Sequence, residues 1–336
     1  MGNKEKLQQL YEKVLVDYVK EQTERGEHKA QLLSKKILKN GISPEELSEW
    51  QKNVLKKMYP DIPEEFFKTF DFFSKIIKSY GIVLAEMDKL RLMQQQMNSE
   101  IEVAANVQSL LLKYTIPEMD GLEIGAVSIP AKKVSGDYFH FVPYDNGSLG
   151  IGIADVMGKG LPAALCISMI KGTIDQMSKS ETIPNQLLAK LNKTVEENVD
   201  VNMFVSMLYG LYESGSNRFL YSSAGHEPAL YYSAQSRSFE EMKTKGLLLG
   251  VNSYSEYPLY EKYVGIDDVL IFVTDGVTES KIDGEFVEKE FLLEEFRKNI
   301  HLHPQDLVMK VCRHLLKLQH FKLRDDFTLI VLKRVS

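Results

Sequence analysis

The chain has 336 residues, 44% hydrophobic and 26% charged, with a formal net charge of −6. That balance fits a soluble globular protein of one to three domains and leaves no basic footprint for nucleic acid. Its two cysteines, Cys166 and Cys312, lie far apart in apolar helical patterns, which excludes a zinc framework or disulfide scaffold and predicts a reducing cytoplasm.

The opening segment MGNKEKLQQLYEKVL is polar and amphipathic, unlike a signal peptide. No apolar run approaches the roughly 18 residues of a membrane span, so no membrane association is expected. Leu7, Leu10, Tyr11, Val14, Leu15 and Tyr18 recur at helical spacing. Gly26 and Gly41 follow helical stretches and read as stops. In SPEE, Ser43 can cap a helix, Pro44 suits its first turn, and Glu46 completes a capping box. YPDIPEEFF is a turn into a further helix. About four helices packed as a bundle are predicted over residues 1–84. The bundle brings together no Asp, His or Cys set. It reads either as a binding and dimerisation module or simply as a solvated amphipathic face.

Residues 85–119 continue without Pro or Gly until Pro117 and predict one long linker helix. Leu90, Gln94, Met97, Ile101, Ala104, Gln108 and Leu111 form a heptad-like seam, with Gln94 and Gln108 at core positions. Polar seam residues make pairing conditional. The linker is expected to pair with a second copy; the alternative is a solvated spacer.

From residue 120 to 336 the pattern changes to strands. LEIGAVSIPA, DYFHFVPYD and SLGIGIADV come first, the last two joined by the hairpin signal Asp145–Ser148, DNGS. Helices are predicted over about Leu161–Met177 and Pro184–Val199. The strands NMFVSMLYGLYE, RFLYSSAG, PALYYSA, YPLYEKYV and DVLIFVTDG follow. A charged helical segment, a helix near Gln305–Gln319 and the strand DFTLIVLKRV close the chain. Two helices between sets of hairpin-linked strands predict an α+β fold, an antiparallel β-sandwich flanked by helices. The helix GLPAALCISMIKGTI carries apolar residues on several faces and is expected to be buried.

Four strand ends share one pattern: an apolar run meeting Asp beside Gly or a second acid. They are Asp137 in VSGDYFHF, Asp155 in GIADVMGKG, Asp275 in LIFVTDGVTE, and Asp325 with Asp326 in LRDDFTLIV. Each alone is more often a turn or a solvated loop. Brought together they would repel one another, and bound hard cations such as Mg²⁺ or Mn²⁺ would relieve that repulsion. Two such ions sharing a water suit phosphate-ester hydrolysis. The Gly-Lys-Gly turn does not make a nucleotide P-loop. That motif needs four residues between its first Gly and Gly-Lys, then Ser or Thr. Here Gly152 and Gly158 enclose five residues and Gly160 follows Lys159. Ser135 and Ser280 have no motif-linked base and are not read as nucleophiles.

The ordered set SGDYFHF, IADVMGKGLPAA, SSAGHEP, VTDGVTE and RDDFTLIV resembles the bacterial branch of the metal-dependent protein phosphatase (PPM) family. That branch contains sporulation and stress-response regulator phosphatases. The helical module, EIEVAANVQSLLL and IPAKKVSGDYFHFV extend the likeness, over nearly the whole chain, to regulator phosphatases of the sigma-B stress pathway. The resemblance implies a four-layer α-β-β-α sandwich holding two Mn²⁺ (or Mg²⁺) ions whose bound water attacks phosphoserine or phosphothreonine. It implies that Asp155 bridges the metals with help from the Val156 carbonyl. Asp275 and Asp325 hold the first ion, Asp137 lies on the side of the second, and Asp326 takes a supporting or capping role. It also implies a phosphorylated anti-anti-sigma protein as substrate and a switch kinase activating through the N-terminal module; the seam and the helical module, read from the residues, add the expectation of a homodimer formed through that module and the linker. The eukaryotic branch grips phosphate with an arginine. No arginine lies near Asp137 in the sequence, so Lys132 and Lys133 are the candidates, against the plain reading of solvated lysines. His226 is expected to act structurally rather than as a general acid. Gly225 and Gly276 are expected to allow tight turns. The rival reading is a non-catalytic scaffold of the same fold that binds phosphoprotein.

Overall fold

The computed structural model describes residues 3–21, 23–158, 160–178, 182–199, 203–282 and 285–336. Lys159 of the Gly-Lys-Gly turn lies outside them. The chain divides into two compact units, Met1–Met97 and Asn98–Ser336.

In the first unit, α1 (Asn3–Glu21), α2 (Glu24–Lys39) and α3 (Pro44–Met58) precede α4 (Glu64–Leu111), which continues into the second unit. Leu7, Leu33, Ile37 and Trp50 form the small core of this unit, with Leu10, Tyr11 and Val14 packed against it. The stop predicted at Gly26 is a start instead. Gly26 is buried in the first turn of α2, and its N–H donates to the capping Thr23 hydroxyl. Gly41 does follow α2, at φ +65°. Ser43 caps α3 by accepting from the Glu46 N–H at 3.2 Å, but the Glu46 carboxylate pairs with Lys4 instead of reaching back. The fourth helix is continuous with the linker helix across residue 84. With no Pro inside it, α4 runs on for 48 residues.

The second unit contains β1 (Leu122–Ile129), β2 (Asp137–Pro143), β3 (Leu149–Val156), α5 (Leu161–Met177), α6 (Pro184–Asn198), β4 (Val205–Glu213) and β5 (Arg218–Ala224). There follow β6 (Ala229–Ser233), β7 (Ser238–Met242), β8 (Tyr260–Tyr263), β9 (Val269–Val273), the short α7 (Asp275–Thr278), β10 (Lys281–Ile282), β11 (Glu285–Phe286), α8 (Lys289–Asn299), α9 (Pro304–Leu318) and β12 (Phe327–Arg334). The charged strand SFEEM, now β7, is not among the predicted elements: its Glu-rich face has no apolar alternation, and it is held by pairing with β6.

Among the described residues, two five-stranded antiparallel sheets run β1-β12-β9-β6-β7 and β2-β3-β4-β5-β8. Side chains such as Ile124, Phe139, Ile151, Phe219, Phe272 and Ile330 fill the space between them. The helices α5 and α6 cover the second sheet through Ile167, Ile170 and Leu188. The helices α8 and α9 cover the first through Phe296, Val308 and Val311. This is the expected α-β-β-α layering. One face of α5 departs from expectation: Leu161 and Leu165 are exposed while Ala163, Ile167 and Ile170 are buried. Both cysteines are buried free thiols, and burial pushes each up to about 11.

Candidate metal centre at the strand ends

The pairing register sets the first two acids side by side. Asp137 opens β2, and its cross-strand partner is Asp155 near the end of β3. In the other sheet, β9 pairs with β12. Asp275 follows β9 after Thr274, and Asp325 and Asp326 stand immediately before β12. Asp155, Val156, Asp275, Asp325 and Asp326 line one open cleft, so the two sheets deliver their acids to the same end of the sandwich.

Asp137 is not on the cleft wall. It is only 4% exposed, and its Oδ2 accepts from the Thr274 hydroxyl at 2.7 Å and the Thr328 hydroxyl at 2.6 Å. Burial pushes its carboxyl well above the usual range; the two threonines oppose that, and Asp155 and Asp326 add to it. Burial also raises Asp275, with the negative charges of Asp325 and Glu279 adding to the shift.

Asp326 is a clasp between loops. Its Oδ1 accepts from the Ala131 N–H at 2.7 Å. Its Oδ2 accepts from the Gly136 N–H at 2.5 Å and the Ser135 hydroxyl at 3.0 Å. The same loop is held from the other side by Gln108, near the end of α4. The Gln108 amide donates to the Ser135 carbonyl at 2.8 Å and accepts from the Ser135 N–H at 3.1 Å. The Gly136 carbonyl accepts from the Val156 N–H at 3.0 Å. Gly276 does not serve a left-handed turn, unlike Gly225 at φ +66°. A Cβ on Gly276 would overlap the Asp326 carbonyl, so close approach of two backbones is what requires glycine there.

His226 lies off the cleft wall. It is buried, its Nδ1 is 2.9 Å from the Ser206 hydroxyl, and its Nε2 has no well-formed hydrogen bond. Ser206 is the cross-strand partner of Asp155, so His226 supports the strand behind that acid. Burial pushes its imidazole down to about 4, only partly offset by the Val273 carbonyl, which fits a neutral structural histidine. The two lysines separate. Lys132 lines the cleft, while Lys133 pairs with Glu102 of α4 at 3.3 Å. Sequence reasoning missed three features. Thr274 and Thr328 flank the acids in VTDG and DDFT without an acid's signature. Gln108 reads as a seam residue. Arg324 lies far from Asp137 in sequence yet lines the same cleft.

As the side chains stand, no three carboxyl, imidazole or thiol groups converge tightly enough to hold an ion, among the described residues. The donor chemistry nonetheless fits a hard divalent cation: it is all oxygen, negatively charged and open to solvent on one side. The Asp275 carboxyl is raised first by burial and further by the charges of Asp325 and Glu279, and a bound cation would favour its ionised form. No described helix is long and apolar enough to cross a membrane.

Residues 9–83 match the family model of the N-terminal domain of phosphoserine phosphatase RsbU, and residues 145–335 match that of stage II sporulation protein E (SpoIIE). The chain is 42% identical to phosphoserine phosphatase RsbU of Bacillus subtilis over 99% of both chains. In fold it is similar to the SiaA PP2C domain of Pseudomonas aeruginosa, with TM-score 0.62 and 16% identity over 73% of this chain and 99% of that one. It is also similar to RsbX in complex with magnesium, with TM-score 0.51 and 16% identity over 66% of this chain and 99% of that one. With three acid-bearing strand ends meeting at one cleft and Asp137 paired to Asp155 behind it, a matching N-terminal domain and end-to-end likeness, the chain belongs to the RsbU family of phosphoserine phosphatases, whose catalytic region has the PP2C fold.

Proposed function

We propose that this phosphatase removes phosphate from serine or threonine of a phosphorylated anti-anti-sigma protein in a cytoplasmic partner-switching pathway. The observation that carries the reading is the convergence of Asp155, Asp275, Asp325 and Asp326 from two sheets on one cleft, with Asp137 directly behind. We assign Asp155, Asp275, Asp325 and the Val156 carbonyl, with Asp137 directly or through water, as the groups that would hold two Mn²⁺ or Mg²⁺ ions, Asp155 serving both. Such ions, when bound, supply a water of lowered pKa and polarise the phosphoryl group. The chain's own part is orientation. Thr274 and Thr328 fix Asp137, and Asp326 fixes the 131–136 loop. No protein nucleophile is required, and His226 is too deeply buried to reach a substrate.

The proposed division is a regulatory module at residues 1–84, a coiled-coil-like linker at 85–119 and the phosphatase at 120–336. A switch kinase binding the first module would stabilise pairing of the linker in a homodimer and so order the site, a shift between existing populations. The Gln108–Ser135 contact supports a path for that effect, because α4 ends on the loop that Asp326 clasps. The test is phosphate release from the phosphorylated anti-anti-sigma protein with Mn²⁺, with and without the kinase. Release that is stimulated by the kinase, and reduced about 100-fold or more in Asp155→Asn, is expected. Binding of the phosphoprotein without any turnover would favour the non-catalytic scaffold.

A further inference from the structure

We propose that Arg324 and Lys132 form the grip for the substrate's phosphate, set in place by the Asp326 clasp; this rests on the phosphatase reading above. Both side chains line the cleft that holds Asp155, Asp275 and Asp325. They arrive on separate loops. Lys132 follows Ala131, whose N–H is bonded to Asp326 Oδ1, and Arg324 stands two residues before Asp326 itself. One carboxylate therefore ties the loop of the lysine to the loop of the arginine.

Charge explains why two extra cations belong there. A phosphomonoester carries about −1.5 to −2 at neutral pH. Four aspartates line the same cleft, and divalent ions held among them would be offset largely by those carboxylates. Attraction for a dianion then depends on fixed positive charge at the rim. Asp326 forms no ion pair with either side chain: its oxygens accept from Ala131, Ser135 and Gly136. Neither Lys132 nor Arg324 has an ion-pair partner among the described residues, whereas Lys133 is paired with Glu102. A planar guanidinium matches two phosphate oxygens at once, and an ammonium adds a point charge.

The experiment uses the full-length chain loaded with Mn²⁺ and measures binding of inorganic phosphate by calorimetry, beside phosphoprotein kinetics. Arg324→Ala and Lys132→Ala are each expected to weaken phosphate binding about tenfold and to raise the phosphoprotein KM by a similar factor. Change in kcat should stay within about threefold, since a grip on ground state and transition state alike acts on KM. Arg324→Lys should recover part of the loss, and Mn²⁺ affinity should not move. Wild-type phosphate affinity in both alanine variants would overturn the grip. If the variants lose phosphate binding but the wild-type protein turns over no phosphoprotein, the grip stands and the phosphatase reading falls.

Discussion

Gly276 leaves no room for even a methyl group, because the Asp326 carbonyl occupies the place of its Cβ. Backbone cannot rotate aside as a side chain can. Gly276→Ala should therefore cost about 1–3 kcal/mol of stability and displace Asp275 or Asp326, lowering phosphate release more than tenfold. Chemical denaturation and turnover of the same sample check both effects. His226 makes a separate, pH-linked prediction. In the folded chain burial keeps it neutral down to about pH 4, against the ordinary value of 6.5. Between those values the unfolded chain binds the extra proton, so stability is complete above about 6.5 and drains away as pH falls. Acidification from about pH 7.5 to about pH 5 should remove about 2 kcal/mol through this residue. Urea unfolding of wild type and His226→Gln at both pH values isolates it: the variant should lose less on acidification. A pH dependence equal in the two proteins would remove His226 as the cause.

At the scale of the element, α4 is where expectation and structure differ most usefully. Gln108 falls at a seam position by its spacing, yet it is only 6% exposed and both of its amide atoms bond Ser135. A polar residue at an apparent core position is here a docking residue for the catalytic unit. Leu90 and Met97 of the same seam are exposed. Gln108→Ala should destabilise the catalytic unit by about 1–2 kcal/mol, since two hydrogen bonds to half-buried backbone are lost. It should also raise the Mn²⁺ concentration for half-maximal turnover several-fold, because the Ser135–Gly136 loop meets Asp326. Faster amide hydrogen exchange at Ser135 would mark the loosened loop. An unchanged Mn²⁺ response would show that α4 does not speak to the site through this contact.

For the whole molecule, the prediction concerns association. Leu90 and Met97 are large apolar side chains left in water within their unit, and a second copy of the helix would cover them. Leu90→Asp with Met97→Asp should weaken self-association at least tenfold in sedimentation measurements. It should also abolish stimulation by the kinase while leaving Mn²⁺-dependent basal turnover. Wild-type protein that sediments as a monomer at all concentrations would remove the dimer. The layered fold needs no such partner. Its three cores form within one catalytic unit, and Phe219→Ala between the sheets should cost about 3–5 kcal/mol in thermal or chemical unfolding.

Much of this was written in local pattern. Hairpin signals and apolar runs gave the strands of a sandwich, and α5 begins and ends at the predicted Leu161 and Met177. The four acid motifs were legible because an acid at the end of an apolar strand violates the local pattern of burial. What stayed hidden depends on contacts far apart in the chain. β7 exists because β6 pairs with it, and Gly26 opens a helix because Thr23 turns to cap it. Asp137 is held by threonines from two other elements, and Arg324 reaches the cleft only because β12 lies beside β9 in the facing sheet. The sequence by itself determined which residues carry charge and which runs seek burial, since hydrophobic period and turn chemistry act within a few residues. Only the tertiary structure decided which acids are exposed, which lysine faces the cleft and what Gln108 touches. Those outcomes follow from strand order and register, which bring residues nearly 200 positions apart, such as Asp137 and Thr328, to within hydrogen-bond distance.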